Sequence, residues 1–174
     1  SGLYASASLE VSRNKIHKNL NLLNKKIIFT SGATESNNLA LLGFARNFKE
    51  KTGHYGNIIT LKTEHKAVLE PIRQLKKEGF SVTELYPEPD GLILEENLVN
   101  ALRDDTFLIS IMLANNEIGV IQPIEKIFKI CQKNNIKLHT DAAQCLGYIP
   151  MKDFNSLANM ITLSSHKIYG PKGI

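Results

Sequence analysis

The feature that most narrows the fold of this sequence is a recurring alternation. Short, β-branched apolar runs (Ile58-Ile59-Thr60-Leu61, Thr106 to Leu113, Ile136 to Thr140, Met160 to Leu163) are separated by longer stretches with helical spacing. A strand that is apolar on both of its faces must be covered on both, and the intervening helices are the elements available to cover it. The expected fold class is therefore α/β, a mostly parallel sheet sandwiched by helices, with residues 1–174 forming one domain.

The elements can be placed in order. A helix is expected from about Ser8 to Leu23 with Leu9, Ile16, Leu20 and Leu23 inward, then a strand over Ile27-Ile28-Phe29-Thr30. A second helix after Ser31-Gly32-Ala33-Thr34-Glu35 carries Leu39, Leu42, Ala45 and Phe48, and a polar stretch from Lys49 to Asn57 leads to the strand Ile58 to Leu61. A helix from Lys66 to Glu78 is closed by Gly79, a strand runs from Ser81 to Tyr86, and Pro87-Glu88-Pro89-Asp90-Gly91 marks a turn. Leu94 to Leu102 reads as a short helix before the strand Thr106 to Leu113. Pro123 opens a helix to about Lys133 at the favoured first position, with Ile124, Ile127, Phe128 and Cys131 inward. Strands Ile136 to Thr140 and Met160 to Leu163 complete the series.

Composition removes several function classes. The net charge of +4 is mild and its lysines are scattered, with no basic stripe interleaved with aromatics, so nucleic acid binding has little support. No apolar run reaches the length of a membrane span. Cys131 and Cys145 have neither metal nor redox spacing, so no metal site is expected, and a reducing cytoplasm is the expected location. The chain starts without Met and stops just after a glycine-rich turn, so it is expected to be part of a longer protein.

Reactive residues fall at one kind of place. Thr34, His65, Asn116, Asp141 and Lys167 each lie at or shortly after the C-terminal end of an expected strand, and parallel strands bring those ends to one edge of the sheet. Ser31-Gly32-Ala33-Thr34 offers helix-start N–H groups and a hydroxyl suited to a phosphate, though plain capping would use the same residues. Asp141 follows an apolar strand, where a carboxylate needs a positive partner such as a protonated pyridine nitrogen; an N-cap is the alternative. His65 suits stacking on a flat ring or carrying a proton, or else capping of the next helix with Glu64. Asn116 and Gln144 are amides able to bond a phenolic oxygen or to tie loop backbone together. Ser164-Ser165-His166-Lys167 supplies donors for an anion and an amine. One cofactor, pyridoxal 5'-phosphate (PLP), uses all of these handles.

Five stretches carry a resemblance: Thr30 to Asn38, Lys62-Thr63-Glu64-His65-Lys66-Ala67-Val68, Asn115-Asn116-Glu117-Ile118-Gly119, Asp141-Ala142-Ala143-Gln144 and Ser165 to Gly173. In that order they resemble the cysteine desulfurases, fold-type I PLP enzymes of the class V aminotransferase group. The resemblance implies that Lys167 holds PLP covalently and that Asp141 pairs with its ring nitrogen. Gln144 and Asn116 would lie at the phenolic oxygen, His65 would stack on the ring and move protons, and Ala33 (through backbone), Thr34, Ser164 and His166 would bind the phosphate. It further implies L-cysteine as substrate, alanine and an enzyme persulfide as products, sulfur-acceptor scaffold proteins as partners, and a homodimer.

The family's persulfide-forming Cys, its substrate-carboxylate Arg and its small C-terminal domain have no counterpart in these residues. Whether the chain by itself is an active enzyme is therefore left open by the sequence. The alternatives are a gene remnant acting only as a dimer or interaction module, and a related PLP enzyme such as a selenocysteine lyase or an aminotransferase.

Overall fold

The computed structural model describes residues 2–22, 25–150 and 154–173. Its centre is a five-stranded sheet in the order β2-β1-β3-β4-β5, with every neighbouring pair parallel. The strands are β1 (Asn57–Leu61), β2 (Ser81–Leu85), β3 (Thr106–Ser110), β4 (Lys137–Asp141) and β5 (Met160–Thr162). Each residue of β1 and β3 is buried, as the near-continuous apolar runs require of strands covered on both faces, whereas the edge strand β2 is only half-buried.

Side chains alternate between the two faces. Ile58 and Leu108 point to one core with Val68, Ile72 and Leu75 of α4 (Lys66–Glu78) and with Leu41 and Ala45. Ile59, Leu61, Ile109, Ile111 and Leu138 point to the other, packed with Leu98 of α5 (Glu95–Asn100) and with Ile124, Ile127, Phe128 and Cys131 of α6 (Ile124–Lys133). The helix α4 has the bounds expected. Ala67 N–H donates to His65 Nδ1 at its start, and Gly79 closes it at φ 112°, a left-handed conformation that glycine adopts without strain.

Several expectations change. The first helix, α1, spans Gly2–Asn19, starting and ending earlier than expected, and buries no residue; Leu23 and Asn24 lie outside the described residues. No strand forms over Ile27 to Thr30. That segment has no ladder partner among the described residues, Ile28 is 64% exposed, and the segment is held by Arg13, which donates to Ile27 O and stacks over Phe29. An apolar run becomes a strand only where another strand is free to pair with it. β3 ends at Ser110, three residues early, yet Ile111 and Leu113 still donate to His139 O and Asp141 O, so the backbone stays extended alongside β4. Pro123 caps α6 from just outside its first turn.

The helix after Gly32 shows the most informative difference. It runs as α2 (Ala33–Asn38), a π-helical turn (Leu39–Gly43) and α3 (Phe44–Thr52) without a break, reaching into the stretch expected to be polar loop. The inward stripe runs through Asn37, Leu41 and Ala45, which are fully buried, while Leu39, expected inside, is 48% exposed; it lies about 200° around the helix from Asn37, on the opposite face. A polar side chain thus occupies the core face one turn into α2.

The strand order reverses at β1: the chain passes from β1 to β2 on one side, then returns to β3 on the other. In open parallel sheets such a switch point opens a crevice beyond the carboxyl ends of the strands.

Candidate active site

A cavity of about 540 Å³ lies at that edge, within the range of small-molecule sites. Every candidate residue lines it: Ala33 and Thr34 from the start of α2, His65 after β1, Asn116 after β3, Asp141 and Gln144 from the end of β4 onward, and Ser164, His166 and Lys167 after β5. Thr34, His65, Asn116 and His166 are exposed, whereas Asp141 and Ser164 are buried, so the cavity is an open cleft with a buried floor.

Each position follows from local structure. Gly32, at φ 143°, turns the chain into α2, and a Cβ there would meet nothing within 4 Å, so the backbone at the helix start faces open space. Glu35 Oε2 accepts from Ser31 N–H and Oγ–H, both at 2.6 Å, which fixes the Ser31 end of this turn. His65 both caps α4 and lines the cleft. Its Nδ1 takes the Ala67 N–H at 3.1 Å, which leaves Nε2 as the ring nitrogen available to the cleft. Asn115, not Asn116, ties the loop together: its Nδ2 donates to Thr63 O and its Oδ1 accepts from the N–H groups of Glu117 and Ile118. Asn116 is left exposed on the cleft wall. Ser164 Oγ and His166 Nδ1 are 2.9 Å apart, and Lys167 sits in a 3-10 turn, Ser165–Ile168, ended by Tyr169 at φ 63°.

The floor carries the electrostatic constraint. Asp141 is 7% exposed; its Oδ1 accepts from Ala143 N–H at 3.0 Å and its Oδ2 from Asn37 Nδ2–H at 2.7 Å. Among the described residues no cation pairs with it. Behind it, His139 bonds Ser110 Oγ at 2.9 Å and Thr162 Oγ1 at 3.3 Å, and burial pushes its pKa down to about 4, so it is a neutral strut. A buried carboxylate facing a cleft, hydrogen-bonded but without a cation, is the chemistry a protonated ring nitrogen completes.

Three contributors to the site were not expected from sequence. Asn37 reaches Asp141 on the floor from the buried face of α2, and Lys172 lines the cleft from the turn that follows Pro171. Glu64 is buried; its Oε1 accepts from Met112 N–H at 2.7 Å, and its Oε2 has no partner among the described residues. Burial, with the charge of Asp141 adding to it, raises the Glu64 carboxyl well above its ordinary 4.5, against the opposing Met112 hydrogen bond. The folded chain thus retains a proton that the unfolded chain has lost, and this stabilisation, complete below about pH 4.5, fades as pH rises toward the folded-state value. Glu64→Gln should remove that loss. Urea melts at about pH 5, 6.5 and 8 should show the variant gaining on the wild type by up to about 1.4 kcal/mol per pH unit, and parallel profiles would show Glu64 to be ionised in the fold.

Among the described residues no helix is long and apolar enough to cross a membrane, and no group of three or more His, Cys, Asp or Glu is placed to hold a metal. Cys131 and Cys145 are buried and free, and burial pushes both thiols up to about 12, which makes them inert packing groups.

A family model described as Aminotransferase class-V matches residues 2–174. The chain belongs to the class V aminotransferases. Within that family it is 49% identical over 173 residues to the cysteine desulfurase IscS of Histophilus somni (strain 2336), covering 99% of this chain and 42% of that protein. The class V aminotransferase fold recurs in the crystal structure of DndA from Streptomyces lividans, with a TM-score of 0.86 and 42% identity over 99% of this chain and 47% of that one. It recurs again in a structure of SspA in complex with cysteine, at TM-score 0.86 and 40% identity over 98% and 49% of the two chains. The chain spans less than half the length of each of these relatives.

Proposed function

We propose that this chain is the PLP-binding core of a cysteine desulfurase, the part of the enzyme that holds the cofactor and presents it to L-cysteine. The observation that carries the reading is the cleft itself: a buried Asp141 with no cation beside it among the described residues, a helix-start cradle at Ala33 and Thr34, and the Lys167 amine all line one cavity. Nearly half-identity to a cysteine desulfurase over almost the whole chain supports it.

The residues divide the work by chemistry. The backbone at Ala33, the Thr34 hydroxyl, Ser164 and His166 are the donors for a phosphate, with the helix N-terminus adding its dipole. Asp141 takes the ring nitrogen, while Gln144 and Asn116 take the phenolic oxygen. His65 covers the ring and holds or moves a proton at Nε2. Lys167 is the amine that holds the cofactor covalently. PLP, once bound, supplies an electron sink for the bonds at the substrate Cα. The buried thiols Cys131 and Cys145 are unsuited to accepting sulfur, so sulfur transfer belongs to residues outside this chain. A homodimer and sulfur-acceptor scaffolds are the partners this reading entails.

Titrating the chain with PLP tests the reading. A saturable visible absorbance band should appear, and inorganic phosphate should compete with it. A spectrum that remains the sum of free cofactor and free protein would refute cofactor binding by this chain.

A further inference from the structure

Residue 37 is a place where an apolar side chain would pack well. It lies on the stripe of Leu41 and Ala45, at 0% exposure, yet it is asparagine, and its Oδ1 has no partner among the described residues. A buried amide with an unmet acceptor costs stability relative to an apolar residue of the same shape. Its other half, Nδ2–H, makes one bond, to Asp141 Oδ2 at 2.7 Å across 104 residues of sequence. With Ala143 N–H on Oδ1, each carboxylate oxygen of Asp141 has a fixed donor, so the carboxylate cannot rotate.

The same helix does more than this one job. α2 begins at the phosphate cradle, Ser36 Oγ lies 3.1 Å from Thr162 Oγ1 on β5, and Asn37 grips β4. One rigid turn of helix therefore ties the cradle to the acid on the cleft floor and to the strand leading to Lys167. We propose that Asn37 is a positioning residue for the cofactor, holding the Asp141 carboxylate in the orientation that receives the ring nitrogen; this rests on the PLP reading of the cleft. Asn37 does not line the cleft and so acts only through Asp141.

The test compares two ligands in two proteins. PLP and an analogue with carbon in place of the ring nitrogen, bearing the same aldehyde and phosphate, are titrated against the wild-type chain and Asn37→Leu. The variant should bind PLP about 10- to 100-fold more weakly, the range of one hydrogen bond to a charged group, and should bind the carbon analogue no more weakly than the wild type does. Equal weakening of both ligands would mean that Asn37 merely supports α2 and its phosphate cradle, and unchanged PLP affinity would mean that Asp141 needs no help; either result overturns the inference. Binding of neither ligand by the wild-type chain would instead overturn the cofactor reading itself, and this inference with it. Circular dichroism reports folding, and if Asn37→Leu fails to fold, the smaller Asn37→Ala, which removes the same donor to Asp141, carries the same comparison with the same expected contrast.

Discussion

Lys167→Ala should abolish the visible band that PLP acquires on this chain while leaving the fold unchanged. Lys167 is half-exposed in a 3-10 turn, and its side chain makes no hydrogen bond or ion pair among the described residues, so truncating it removes little packing. Surface changes of that kind shift stability by about 0.5 kcal/mol or less, and thermal melts of variant and wild type should coincide. The absorbance effect, in contrast, should be all or none, because it reports one covalent bond. The phosphate cradle and Asp141 would remain, so weak cofactor retention without the band is the expected residue of function. Lys172 also lines the cleft, and Lys172→Ala, which should keep the band, separates the specific amine from cationic attraction in general. A band of full strength in Lys167→Ala would assign the amine elsewhere.

Ile109→Ala should be the most damaging single change to the fold. Ile109 is fully buried in β3, the middle strand, between Ile59 of β1 and Leu138 of β4, in the core that α6 covers. Truncating such a side chain costs about 2–5 kcal/mol, part of it from the cavity left where the flanking strands cannot collapse. Against the 5–15 kcal/mol typical of a folded domain, that is a large share of the total. The loss should reach the site as well, because the extended chain beyond β3 carries Met112, Ala114 and Asn116 into the cleft. Urea denaturation should show a lower midpoint at similar slope, whereas Leu9→Ala on the exposed α1 should change the midpoint little. An Ile109→Ala midpoint equal to that of Leu9→Ala would contradict the core described.

The parts of this structure that could be read from sequence are those in which local pattern and tertiary role agree. β1 and β3 were visible because burial on both faces leaves near-continuous apolar runs, and α4 because His65 and Gly79 mark its ends. The convergence of residues on one cleft was visible for a topological reason: parallel strands place their C-terminal ends together, so residues as distant as His65 and Lys167 could be assigned to one edge, whereas Thr34 reaches it through the turn at Gly32 with no strand before it among the described residues. Ile27 to Thr30 misled because a strand is decided by its partner, not by its own composition. The stripe on the helix after Gly32 misled because apolar residues spaced by three (Leu39, Leu42, Ala45, Phe48) drift around a helix of 3.6 residues per turn, and Asn37, being polar, was passed over on the face that is buried. Glu64 read as a capping residue; its burial against Met112 and Asp141 depends on elements far along the chain.

The most direct measurement is chemical mapping of the covalent bond. The chain is incubated with PLP, reduced with borohydride to fix any lysine-bound cofactor, digested, and its peptides weighed by mass spectrometry. The expected result is a single phosphopyridoxyl addition on the peptide containing Lys167, at near-stoichiometric yield and suppressed by inorganic phosphate. Additions scattered over surface lysines such as Lys49, Lys76 and Lys126, insensitive to phosphate and sparing Lys167, would contradict it.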